Sequence, residues 1–469
     1  MNRTTLVVVA LIFVFASLPA SSANFVIVNG DSPGEGLNDP TVVAPVGGNP
    51  GTTLGEQRQI VLQAVADVWA SRLESPVDIR ILARFDSMGN CSVLGSTGPG
   101  TAYMNFPGAP VANVFYHSCI ADSITGTDQN PGAPDFFITY NSDWDTAACP
   151  TTSFYYGLDG NEPAGSEDLF PVVLHEMGHG LGFASFINPS NGVPFFGAPG
   201  IFDYYILDVT TGLHWSEMSS SAQRQASAIN TYNLAWDGRN ATEAVEDIYF
   251  AGTPLEFEVT SPPAIAGEYD ALRAVFGGSS PDPMVGEFEL VNTGSATPTD
   301  GCTDLVGFTP GNIAVIDRGN CEFGLKALNA EDAGASAVII ANDRDGTALV
   351  LMGAGAAGDP VTIPVISIGQ NDGATIKAQL PGVSGELGIW YPMLYAPNPV
   401  MPGSSVSHWD DLAEPDLLME PFTSPDVFDQ LDLTPAQLKD VGHTVTGFDG
   451  IFDDGFESGD VSAWGGASP

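Results

Sequence analysis

The sequence predicts an α+β chain split by an inserted α/β unit, and three observations predict it. A His-Glu-Met-Gly-His run at 175–179 sits in a helical pattern that follows a helix and two alternating apolar segments. From residue 257 to about 392 the rhythm changes to strand, glycine turn, helix and strand, rich in Ala, Val and Ile. Sequence of the first kind resumes at Tyr391, so residues 24–254 and 392–447 have to meet in space around the insert.

Residues 1–23 open with Arg3, run apolar from Leu6 to Leu18 and end in the small residues Ser21 and Ala23. This reads as a secretory signal peptide, and an uncleaved anchor is disfavoured because the apolar run is short. Residues 24–53 are rich in Gly, Pro and Asn around a short strand, Phe25-Val26-Ile27-Val28. Residues 55–73 predict an amphipathic helix through Ile60, Val61, Ala64, Val65, Val68 and Trp69. Residues 77–85 alternate like a half-buried strand, and residues 135–141 predict another. Ahead of the histidines, Asp168 is placed to cap a helix and Pro171 falls in its first turn, where its missing N–H is harmless. Val172, Val173, Leu174, Met177 and Leu181 supply its apolar faces, and Gly182 is the predicted exit.

On that helix His175 and His179 are one turn apart on one face and can aim two imidazoles at one metal. Glu176 is then placed beside a metal-bound water rather than on the metal. Zinc held this way lowers the pKa of the water, and Glu176 can take its proton as general base during attack on a carbonyl. The bland alternative is a helix with two unrelated surface histidines. Catalytic zinc sites usually take three protein ligands, so a third is needed. His117, His214, His408 and His443 are the remaining histidines, unless a carboxylate such as Glu217 or Glu246 serves. His117 and His443 read as ordinary surface or hydrogen-bonded histidines.

The compact metzincin pattern, His-Glu-x-x-His-x-x-Gly-x-x-His, would place its third histidine at Ser185, so that form is broken. His408, in Gly-Ser-Ser-Val-Ser-His-Trp and followed by Leu417-Leu418-Met419-Glu420-Pro421, resembles the layout of leishmanolysin-like metzincins. In that family a long insertion separates the helix from the third histidine, and a methionine turn lies beneath the zinc. The resemblance implies a zincin/metzincin catalytic domain, zinc ligands His175, His179 and His408, Glu176 as base and Met419 as the turn methionine. His214, with Met218 too close behind it, imitates the pattern locally.

Within the insert, Arg318-Gly319-Asn320-Cys321-Glu322-Phe323 and Ala333-Gly334-Ala335-Ser336-Ala337-Val338-Ile339-Ile340 closely resemble a protease-associated (PA) domain over residues 257–387. Asp317 and Arg318 read as structural hydrogen-bonders around the turn rather than as a site. The expected organisation is a signal peptide at 1–23, peptidase halves at 24–254 and 392–447, the PA domain at 255–391 and an acidic Gly-rich tail at 448–469. Thr434 is the expected cap of a closing helix with Pro435 first inside it. The tail is similar to those of proteins exported by Gram-negative bacteria, and a disordered solubilising tail is the equal alternative.

With 57 acids, 13 Lys and Arg and a formal net charge of −44, nucleic acid and anionic membrane surfaces are excluded as partners. Calcium is compatible with the acid content, although no EF-hand spacing is present. Five cysteines suit an oxidising compartment. Cys302 and Cys321 share one unit and are expected to pair, while Cys91, Cys119 and Cys149 leave three pairings open. No Gly-x-Ser-x-Gly segment supports serine catalysis, and nothing supplies the bridging acids of a two-zinc aminopeptidase. The expectation is a secreted or periplasmic zinc endopeptidase acting on proteins or peptides, with no membrane span and one catalytic zinc. The alternative is a binding or adhesion protein on the same fold with little activity.

Overall fold

A computed structural model describes residues 22–446, apart from 246–247, 251–256, 275, 279–282, 345, 356–360, 389 and 425–426. The expected leader, save residues 22 and 23, the tail at 448–469 and Glu246 lie outside the described residues.

The first part of the chain builds a four-stranded sheet from β1 (Phe25–Asn29), β2 (Ile79–Asp86), β3 (Gly95–Pro99) and β4 (Phe136–Asn141). The spatial order is β1-β2-β4-β3, with β1, β2 and β4 parallel and β3 antiparallel at the edge. β2 alternates buried and half-buried residues, so Ile79, Ile81, Ala83 and Phe85 face the core, as its sequence predicts.

The helices packed in this part of the chain include α1 (Leu54–Ala70), α2 (Ser118–Thr125) and α3 (Leu169–Leu181). α1 starts in a capping box, where the Glu56 amide donates to Thr53 Oγ1 and the Thr53 amide donates to the Glu56 carboxylate. It ends three residues earlier than expected, because Leu73–Glu74 turns out to pair with Thr444–Val445 instead. α1 and α3 touch through fully buried Trp69, whose indole N–H donates to Leu174 O at 3.2 Å. Truncating a side chain buried this way to alanine costs roughly 3–5 kcal/mol. α3 runs along β3 and β4, which puts Glu176 beside the edge strand.

The insert has its own eight-stranded sheet. Its strands are β5 (Phe257–Ser261), β6 (Gly267–Glu268), β7 (Ala271–Arg273), β8 (Met284–Leu290), β9 (Ile313–Asp317), β10 (Ala337–Ala341), β11 (Val365–Ile368) and β12 (Ser384–Leu387). They are ordered β6-β5-β12-β8-β9-β10-β11-β7, and β8 to β11 are parallel. α4 (Phe323–Asp332) connects β9 to β10, and α5 (Gln370–Lys377) follows β11. β10 and β11 are buried throughout, as parallel strands covered on both faces must be. The insert has two apolar clusters of its own, one of them including Phe257, Leu387 and Trp390.

One sequence expectation needs correcting here and another is extended. The closing helix α6 (Thr434–Val441) is not capped by Thr434, which is its first residue. Asp432 does that work, accepting from the Thr434 amide at 3.1 Å. Asp317 and Arg318 bond beyond their turn: Asp317 takes Thr299 and Lys377, and Arg318 donates to Asn342 at 2.8 Å. The cysteines left open are settled, with Cys91 bonded to Cys149 and Cys119 a buried free thiol. Cys302 and Cys321 form the second disulfide. Among the described residues no helix is long and apolar enough to cross a membrane.

Candidate metal centre

α3 carries the site. Asp168 caps it by accepting from the Phe170 amide at 2.9 Å, and Gly182 ends it at φ 133°, a conformation L side chains rarely adopt. Its last carbonyls, orphaned by geometry, are taken by two histidines from elsewhere. His117 Nδ1 meets Gly180 O at 3.1 Å and His443 Nε2 meets Leu181 O at 2.7 Å. Both rings are buried, 3% and 4% exposed, which corrects the surface reading. Burial pushes each down to about 4, so they stay neutral donors at ordinary pH.

His408 arrives on the chain that returns from the insert and stands with His175 and His179. Among the described residues these three form the one group of His, Cys, Asp or Glu side chains whose ligand atoms converge, all within 4.8 Å. Each ring is oriented through its Nδ1: His175 to Leu418 O at 2.7 Å, His179 to Phe183 O at 2.7 Å and His408 to Ser404 O at 2.7 Å. A carbonyl accepts only, so each Nδ1 carries the proton and each Nε2 is left with a bare lone pair. The Nε2 atoms of His175 and His408 face each other at 3.2 Å. Two lone pairs at that distance repel unless a cation lies between them. Two nitrogens each about 2.0–2.1 Å from one tetrahedral zinc stand roughly 3.3 Å apart. The donor set therefore fits zinc. Burial adds to this by holding His175 down to about 4, His179 to about 3 and His408 well below its usual value.

Glu176 faces the edge strand. Its carboxylate accepts from Thr97 Oγ1 at 2.6 Å, and burial pushes its pKa up to about 7. Met419 lies beneath the helix: a Cβ on Gly178 would stand 2.6 Å from its sulfur, and the Met419 carbonyl accepts from the Trp409 amide at 2.8 Å. The adjacent Leu418 amide is held by the Asp432 carboxylate, so the Leu418 carbonyl that fixes His175 is itself fixed. Trp409 is fully buried against Phe183 and Trp236.

His214 lies apart from this centre. It pairs with Asp237 and Glu217, and those hydrogen bonds raise its pKa to about 9; it is not among the three converging side chains. Glu217 is accounted for by the same pair. No set of acidic groups converges as the imidazoles do among the described residues, so nothing at the site supports calcium. Sequence reasoning missed Thr97, and also Asp203, which accepts from Ser185 Oγ at 2.5 Å. Neither has a local motif that marks it.

Residues 286–376 match the PA domain family. The chain is 38% identical over 111 residues to aminopeptidase YwaD of Bacillus subtilis (strain 168), covering 24% of this chain and 23% of that protein. It is 35% identical over 85 residues to signal peptide peptidase-like 2 of Arabidopsis thaliana, covering 18% of this chain and 16% of that one. The chain thus spans less than a quarter of the length of these curated relatives. A solved zinc aminopeptidase from Bacillus subtilis aligns over 33% of this chain and 36% of its own, at 22% identity and a TM-score of 0.23.

Proposed function

We propose that this chain is an exported zinc endopeptidase of the metzincin, leishmanolysin-like type, with a PA domain inserted between its second and third metal ligands. The observation that carries the reading is the set of three imidazoles whose protonated Nδ1 atoms are tied to carbonyls and whose bare Nε2 atoms converge beside Glu176. The PA domain match, together with the similarity to an aminopeptidase, supports a peptidase without naming the bond cut. Two disulfides and the leader-like residues 1–23 support export.

When bound, zinc supplies a Lewis acid for the scissile carbonyl and lowers the pKa of attacking water. His175, His179 and His408 would hold it, and their carbonyl partners keep the rings in the tautomer that leaves Nε2 free. Glu176, one residue past His175 and so about 100° around the helix from the ligand face, would accept the water proton and return it to the leaving amine. The apolar walls around Met419 and Trp409 keep the ligands from moving.

The test is a stoichiometric metal assay paired with digestion of casein and of a peptide blocked at both ends. One zinc per chain and cleavage of the blocked peptide are expected, both abolished by a chelator. Cleavage of free-amino peptides alone would make it an aminopeptidase, and a chain without zinc or cleavage would leave the binding-protein alternative.

A further inference from the structure

We infer that the edge strand β3 positions the general base: Thr97 is a positioning residue that fixes the Glu176 carboxylate, and Gly95 is the clearance that lets it lie there. This rests on the peptidase reading above.

Thr97 Oγ1 stands 2.6 Å from Glu176 Oε2 and 2.9 Å from the Glu176 carbonyl oxygen. A hydroxyl has one proton, and the charge-assisted bond to the carboxylate is the stronger use of it. Among the described residues no other side chain bonds this carboxylate. The carboxylate is otherwise free to turn about its own bonds, and Thr97 anchors one oxygen while leaving the other for the reacting proton.

Gly95 gives an independent observation on the same strand. A Cβ there would sit 2.7 Å from Glu176 Oε1 and 3.0 Å from both Cδ and Cγ. Its φ is not in the left-handed region, so backbone conformation does not demand glycine here. What demands it is the side chain of Glu176. The strand itself is held in place by pairing from Gly95 opposite Tyr140 to Pro99 opposite Phe136. One rigid strand thus supplies both the anchor and the space. Displacing a catalytic group by about 1 Å can cost on the order of a hundredfold in rate, which is why a positioning contact of this kind matters.

The experiment uses the zinc-loaded full chain. Thr97→Val, which keeps shape and loses the hydroxyl, should lower kcat roughly tenfold or more while KM and zinc occupancy stay put. Thr97→Ser should restore most of the loss, and Gly95→Ala should lower kcat in the same manner. In a Glu176→Gln background Thr97→Val should add nothing, because the two residues act as one unit. Crystals of the metal-free protein should hold Glu176 in one rotamer in wild type and Thr97→Ser, and in several in Thr97→Val. Wild-type kcat in Thr97→Val, or the same further loss in the Glu176→Gln background, overturns the inference. If the wild-type chain binds no zinc or cuts no peptide, the proposed function fails. If it cuts peptide, loses that to Glu176→Gln and ignores Thr97→Val, this inference alone fails.

Discussion

The amide of Ser185 donates to the side-chain oxygen of Ser407 at 3.1 Å. Ser185 occupies the position where a compact His-Glu-x-x-His-x-x-Gly-x-x-His motif would carry its third histidine, and Ser407 immediately precedes His408. The segment where a compact motif would carry that histidine instead holds the segment that carries His408, 233 residues beyond His175. Asp203 secures the arrangement by accepting from Ser185 Oγ and from the Phe186 amide.

That relationship makes the two candidate third ligands separable. His408→Ala should reduce zinc affinity by more than the roughly 10–100-fold that outer hydrogen-bond partners cost, and should abolish peptide cleavage. His214→Ala should leave both close to wild type, since it removes only a partly exposed ion pair with Asp237 and Glu217. Chelator competition on both variants checks this. Zinc lost with His214→Ala and kept with His408→Ala would refute the leishmanolysin-like reading of the C-terminal segment.

Glu176→Gln tests the base. Its side chain bonds Thr97 and is not one of the three converging nitrogens, so zinc should remain. Turnover should fall by roughly a hundredfold or more, because an amide cannot accept the water proton. A zinc-loaded Glu176→Gln chain with ordinary turnover would remove this residue from the mechanism.

How much of this was readable from residues alone follows the range of the interactions. α3 was legible because its cap, its apolar spacing and its glycine exit all lie within one short stretch. β10 and β11 were legible as continuous apolar runs. β3 was not, since Gly-Ser-Thr-Gly-Pro has no alternation and becomes a strand only by pairing with β4. Thr97 meets Glu176 across 79 residues, and no spacing rule reaches that far. His117 and His443 read as surface or hydrogen-bonded histidines; the second holds, and nothing local says that they close the end of a buried helix. His408 was reachable only through resemblance to a family, and Asp432 displaced Thr434 as cap because a carboxylate two residues back accepts the same amide.

The insert should be separable from the chemistry. Its first and last strands pair with Phe257 opposite Leu387, so chain entry and exit are neighbours about 5 Å apart, and a short linker can close the gap. Arg273 makes one of the attachments that would be lost: it donates to Ile248 O at 2.9 Å and lies over the Trp390 ring at 4.3 Å. A chain with residues 257–387 replaced by a linker should keep zinc and cleavage of small peptides, while its choice among large proteins changes. Equal losses on small peptides and large proteins, with folding intact, would defeat the idea.

The start of α3 should give the protein a measurable pH dependence of stability. Burial, with Glu162, Asp159 and Glu167 nearby, pushes Asp168 up to about 7. An unfolded aspartate titrates near 3.9, so between about pH 4 and 7 the native state binds more protons than the unfolded one. Stability from this group is therefore complete below about pH 4 and is lost as pH rises through 7. His117 and His443, held down to about 4, act with the opposite sign and cost stability as pH falls below their unfolded value near 6.5. Asp203 and Asp440, both raised to about 6 by burial, act in the same direction as Asp168. Comparing wild type with Asp168→Asn cancels all four of these background groups. Asparagine retains an oxygen to cap the Phe170 amide and cannot ionise. The two proteins should melt together below about pH 4, and Asp168→Asn should become progressively the more stable up to about pH 7 and keep that lead above it. A difference in Tm that does not change with pH would show that Asp168 is not carrying a buried charge at neutral pH.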